Sequence, residues 1–71
     1  SIAWYYGEIL RDHRKELKIT QQELAEKVGT ARSYIARVEK GETDIQISSF
    51  FRIVRVLGIE FTPFYRLMHF S

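Results

Sequence analysis

The 71-residue sequence has no cysteine and only one proline. Without cysteine there is neither a disulfide nor a cysteine-based zinc site, and a reducing compartment suits the chain. Long apolar runs are lacking too, because Arg52, Arg55 and Arg66 interrupt the longest stretches. Nothing resembles a signal peptide or a membrane span, so a cytoplasmic location with no membrane partner is expected. The two histidines, His13 and His69, are too few and too far apart in sequence to suggest a metal site. They read as a half-buried core residue and a tail residue. No Ser-His-Asp order, phosphate loop or paired carboxylate stands out, which predicts no enzyme activity and no cofactor. No run alternates with hairpin turn chemistry, which argues against a sheet.

What remains is an ordinary globular balance, 45% hydrophobic and 28% charged, rather than the composition of a disordered chain. The length suits one domain over residues 1–71, with a single core that must be well packed or completed by a partner. A net charge of +2 is too small by itself to argue for nucleic acid. Its placement says more: residues 1–40 carry eight Lys/Arg against six Asp/Glu, whereas residues 41–71 carry three of each. The whole positive excess lies in the first forty residues.

Five helical segments are predicted, making the fold all-α. Tyr6, Leu10, His13 and Leu17 recur on one face of the first, widened by Ile9, while Trp4, Tyr5 and Tyr6 are placed just ahead of it. The second opens on Thr20-Gln21-Gln22-Glu23, a capping box in which the threonine hydroxyl accepts from the Glu23 N–H and the carboxylate reaches back. Leu24, Ala25 and Val28 form its apolar face, and Gly29 ends it. The third runs from about Ala31 to Glu39, with Ile35 and Val38 inward and Gly41 as the stop. A fourth spans Ile47 or Ser48 to Leu57, with Phe50, Ile53, Val54 and Leu57 on one side and Gly58 behind. Thr62 and Pro63 read as a cap and first-turn proline opening a short last helix.

Between Gln21 and Val38 each residue type has a job in two helices joined by a tight turn. Ala25 is small where the next helix crosses above it, Gly29 turns without a Cβ clash, and Ile35 and Val38 fix the following helix by one face, leaving the other free. The stretch TQQELAEKVGTARSYIARVEKG resembles the motif of the Cro/C1-type (XRE-like) helix-turn-helix regulators, and the likeness runs from about Tyr6 to Leu57. The resemblance implies a compact five-helix, repressor-like DNA-binding domain whose helix-turn-helix is formed by helices 2 and 3. The third helix would then lie in the major groove of double-stranded DNA, with Arg32, Ser33, Tyr34 and Arg37 towards the bases. Arginine suits guanine because its fork donates to both O6 and N7. Gln21 falls where the family holds a phosphate at the start of the second helix, and Thr20, Gln22 and Lys40 are further phosphate candidates. Arg14 and Glu39 match an internal ion pair of such proteins, with phosphate contact a second reading for Arg14. By local pattern alone, Asp12, Glu23, Glu26 and Glu39 fall among helical positions with Lys and Arg neighbours, as solvated faces do.

Four departures from the family pattern stand out. Ala31 takes the place of the usual Ser or Thr cap, so that Thr30 must serve or the cap is weakened. Lys18 stands where glycine is common, His13 replaces a core aliphatic, and the loop GETDIQIS carries Glu42 and Asp44 where relatives place basic phosphate contacts. The end of the chain is crowded with Ile59, Phe61, Phe64, Tyr65, Leu67, Met68 and Phe70, more than so small a domain is expected to bury. This apolar segment suggests a homodimer, in keeping with an inverted-repeat operator. The TDIQIS loop and SSFFRIVRVLGIEFTPF are similar to the HigA-like antitoxins, which implies an alternative: an antitoxin that binds a protein toxin and represses its own operon.

Overall fold

The computed structural model describes residues 2–59 and shows four helices: α1 (Ile2–Glu16), α2 (Gln21–Val28), α3 (Arg32–Lys40) and α4 (Ile47–Leu57). The described residues contain no strand, and none of their helices is long and apolar enough to cross a membrane. The expected fifth helix at Thr62 and Pro63 lies outside the described residues, as does the apolar segment read as a dimer contact. α1 packs on α3 and α4, and α2 packs on the same two helices.

One residue from each helix, Leu10, Leu24, Ile35 and Ile53, is fully enclosed where the four meet. Around them lie Ala25, Val28, Val38, Phe50, Val54 and Leu57, the faces expected of α2, α3 and α4. Truncating a large side chain in such a core costs about 2–5 kcal/mol, so this cluster holds α2 and α3 at a fixed angle. Ala25 has no exposed surface, as its place beneath the next helix requires. Gly29 then turns the chain at φ 86°, donating its N–H to the Ala25 carbonyl at 2.8 Å. A side chain at that positive φ would be strained.

α1 differs from its expected form at both ends. It begins at Ile2, so Trp4, Tyr5 and Tyr6 lie within the helix and not ahead of it. Tyr6 packs against Phe50 with ring centroids 5.6 Å apart. At the other end the helix stops at Glu16, one residue short of Leu17, and Leu17 is half exposed instead of buried. The Lys18 N–H bonds the Lys15 carbonyl at 3.0 Å, tightening the last turn, and Lys18 itself adopts φ 58°. That break takes Leu17 out of phase with Tyr6, Leu10 and His13. Lys18 is the sole non-glycine residue of positive φ among those described, at the place where glycine was expected. His13 is half-buried, as read from its position.

α3 starts without a side-chain cap. Ala31 is the N-cap residue, in extended conformation, and Thr30 does not substitute for it. The other end of α3 is close-packed. A Cβ on Gly7 of α1 would collide with the backbone carbonyls of Val38 and Glu39, and one on Gly41 would meet the Trp4 Cα at 2.6 Å. The helix is therefore anchored by Ile35 and Val38 on its inner face and by close backbone contact at its C-terminal end, leaving Arg32 and Ser33 at the surface.

Candidate nucleic-acid interface

The start of α2 is set by its capping box. Thr20 Oγ1 accepts from the Glu23 N–H at 3.0 Å, and Glu23 Oε1 accepts from the Thr20 N–H at 2.9 Å. The Thr20 N–H donated to the carboxylate, with the Thr20 hydroxyl and Lys27 adding to it, holds the Glu23 carboxyl below its ordinary range. Thr20 and Gln22 are exposed, and Gln22 Nε2 donates to Glu26 Oε1 one turn along at 3.0 Å. Gln21 is half-buried and turns towards α3.

On α3, burial alternates with helical period. Ile35, Val38 and Glu39 are enclosed, while Arg32, Ser33, Arg37 and Lys40 are exposed. Ser33, Arg37 and Lys40 follow at steps of four and three, one face of a helix. Arg32 begins the same exposed turn, with Lys40 about 12 Å further along the axis. The exposed ionisable groups of α3 are all cationic, since its one acid, Glu39, is buried. This corrects the reading of Glu39 as a solvated position. Its carboxylate meets Arg14 at two points, Oε2 with Nε at 2.6 Å and Oε1 with Nη2 at 3.1 Å. Arg14 Nη1 also donates to the Ile19 carbonyl at 2.8 Å, tying α1, the approach to α2 and the end of α3 together. Tyr34 stands apart from the cationic residues: it packs against the core with its hydroxyl buried and without a hydrogen-bond partner.

The ion pair does not end with Arg14 and Glu39. Gln21 Nε2 donates to Glu39 Oε1 at 3.0 Å, and Gln21 Oε1 accepts from Arg32 Nη1 at 3.3 Å. A continuous line of side chains thus runs from buried Arg14 to exposed Arg32, the first residue of α3.

A helix held by one face, crossing above a small residue of the helix before it and presenting cations on the other, is the geometry by which a helix enters a DNA groove. The family model described as helix-turn-helix matches residues 10–64. The chain belongs to the Cro/C1-type helix-turn-helix family of DNA-binding transcriptional regulators. It is 48% identical over 52 residues, 73% of this chain and 75% of the other, to an uncharacterized HTH-type transcriptional regulator of Methanothermobacter thermautotrophicus. It is also 37% identical over 54 residues to the immunity repressor protein of Bacillus phage phi105. That match covers 76% of this chain but 38% of the phage repressor.

Within the helix-turn-helix, Thr20, Gln21 and Gln22 sit on the first turn of α2, and Gln21 is joined directly to Arg32. Ser33 and Arg37 share the outer face of α3, Lys40 lies at its far end, and Tyr34 is drawn inward. Glu42 and Asp44 are exposed in the loop after α3, so the cationic stripe ends with the helix. No group of three His, Asp or Glu side chains among the described residues is placed to hold a metal. Sequence reasoning missed the bridging role of Gln21 and the close approach at Gly7. The first had only an indirect signal, a glutamine beside a capping threonine, and the second had none.

Proposed function

We propose that the protein is a sequence-specific repressor of transcription that binds double-stranded DNA as a homodimer, laying the exposed face of α3 in the major groove. The exposed face of Arg32, Ser33 and Arg37, whose charges are all positive, on a helix held by its opposite face carries this reading. Arg32 and Arg37 address base edges or neighbouring phosphates, and Ser33 adds a short hydroxyl between them. Tyr34 contributes by the exposed part of its ring, against a thymine methyl or the backbone. Thr20, Gln21, Gln22 and Lys40 grip phosphates on either side. A two-fold dimer formed through the apolar C-terminal segment would read an inverted repeat with half-sites about 34–36 Å apart.

The deciding experiment selects a binding site from a random duplex library and follows affinity against salt. Each phosphate neutralised is expected to contribute about −0.9 to the slope of log affinity against log salt. A flat dependence with no sequence selected overturns the reading. A second reading, an antitoxin that also represses its operon, draws on exposed Glu42 and Asp44, which offer acidic surface to a protein partner. Co-purification of a small protein encoded beside the gene would favour it.

A further inference from the structure

Each of the four helices is followed by a left-handed residue, but in one case it is not glycine. Gly29, Gly41 and Gly58 stop α2, α3 and α4 at φ 86°, 72° and 67°. Lys18 stops α1, at φ 58°. Its bonds are those of a glycine stop: Lys18 N–H to the Lys15 carbonyl at 3.0 Å, and Ile19 N–H to the Arg14 carbonyl at 3.4 Å. That geometry suits glycine, and asparagine next, whereas the Cβ of a lysine crowds the backbone carbonyl. The fold thus bears a strain at Lys18 that it avoids at its other helix ends. No ion pair among the described residues offsets it. Those pairs join Arg11 to Glu8 and Asp12, and Arg14 to Glu39, while Lys18 is exposed and belongs to none.

We propose that Lys18 is a further DNA-binding residue: its ammonium contacts the backbone phosphate that lies against Thr20 and Gln21, and its left-handed conformation trades fold stability for that charge. The proposal rests on the DNA-binding function proposed above. Lys18 is two residues ahead of Thr20, so their Cα atoms are at most about 7.6 Å apart. Five bonds of about 1.5 Å carry a lysine ammonium about 6 Å beyond its own Cα, which spans most of that distance. The turn that presents it is fixed. The Ile19 carbonyl accepts from Arg14 Nη1 at 2.8 Å, and Arg14 is held in turn by buried Glu39. A glycine or asparagine would end α1 with less strain but would offer no cation there. A lysine acts on phosphate as a point charge and carries no sequence information, so Lys18 adds affinity and not base preference.

The test follows binding to the selected duplex against salt, together with unfolding, in variants of the protein. Lys18→Asn keeps a residue that tolerates the left-handed turn and removes the charge. Its slope of log affinity against log salt is expected to be shallower than that of wild type by about 0.9. At about 0.1 M salt its affinity should fall about five- to tenfold, with the ratios between sites unchanged. Lys18→Arg keeps the charge and is expected to keep the slope. Lys18→Gly should lose the same slope as Lys18→Asn while its folding equilibrium moves about fivefold towards the folded state, since the strain is relieved. Lys27→Gln removes an exposed cation from the last turn of α2 and is expected to leave the slope as it is. An equal loss in Lys27→Gln would reduce the effect to net charge and overturn the proposal. A Lys18→Gly protein less stable than wild type overturns it too, by giving the lysine a part in the fold. A steep wild-type slope that Lys18→Asn leaves unchanged overturns the Lys18 contact alone, whereas a wild type with a flat slope and no selected site overturns the DNA reading with it.

Discussion

At its C-terminal end α3 is pressed against α1. Glu39 is closed in by Arg14, Gly7 lets the carbonyls of Val38 and Glu39 approach, and Gly41 turns against the Trp4 backbone. At its N-terminal end the same helix has no side-chain cap, and Arg32 and Ser33 stand in solvent. The contacts that fix the helix are thus densest at its C-terminal end and along its inner face, and the residues that present it to a ligand lie on the opposite face of the same nine residues. Changes at the packed contacts and on the exposed face should consequently have different effects: stability is lost at the first, and binding on the second.

The largest effect is expected from Glu39→Ala, which leaves Arg14 charged, buried and unpaired. Thermal or denaturant unfolding should show a loss of about 3–5 kcal/mol. A loss below about 1 kcal/mol would place the pair among exposed ones and break the contrast. Gly7→Ala comes next, at about 3 kcal/mol, because its Cβ meets backbone that cannot swing away as a side chain does. Thr20→Ala, which removes the hydroxyl from the α2 box, is expected to cost about 1 kcal/mol. The depressed Glu23 pKa adds a pH signature. A carboxylate with a folded pKa below its unfolded one stabilises above the unfolded value and loses that contribution as pH falls through the folded one. Wild type should therefore lose stability below about pH 4 by a step that Glu23→Gln lacks and that Thr20→Ala, which keeps the backbone N–H, retains in part. The smallest change in stability is expected on the exposed face: Arg37→Ala should stay within about 0.5 kcal/mol of wild type in unfolding. Its affinity for the selected site should nevertheless fall by about 1–3 kcal/mol, with one base position relaxed.

Much of this arrangement is local chemistry and was legible from the sequence. The box at Thr20 and Glu23, the stop at Gly29, the small Ala25 and the faces of α3 and α4 each follow from neighbours within a turn or two. The first helix was harder. An aromatic run with no cap before it gives no starting point, and Gly7 in a helix interior looks like a weakness unless the helix it accommodates is known. Leu17 fitted the apolar period but lies beyond the turn that ends the helix, where periodicity has no hold. The hydrogen bonds of Gln21 join positions 11 and 18 residues apart. No spacing rule encodes them, because they depend on the angle at which the core sets α2 against α3. Ala31 illustrates the converse: the missing cap was legible, and the structure supplies no substitute.

The box at the start of α2 has a consequence beyond helix stability. Successive residues of an α-helix are turned by about 100° around its axis. Were α2 to begin one residue later, Gln21 would leave helical geometry and lose the direction that brings it to Glu39 and Arg32. The reciprocal bonds of Thr20 and Glu23 thus act as an end stop, keeping residue 21 in the first turn and with it the aim of its amide.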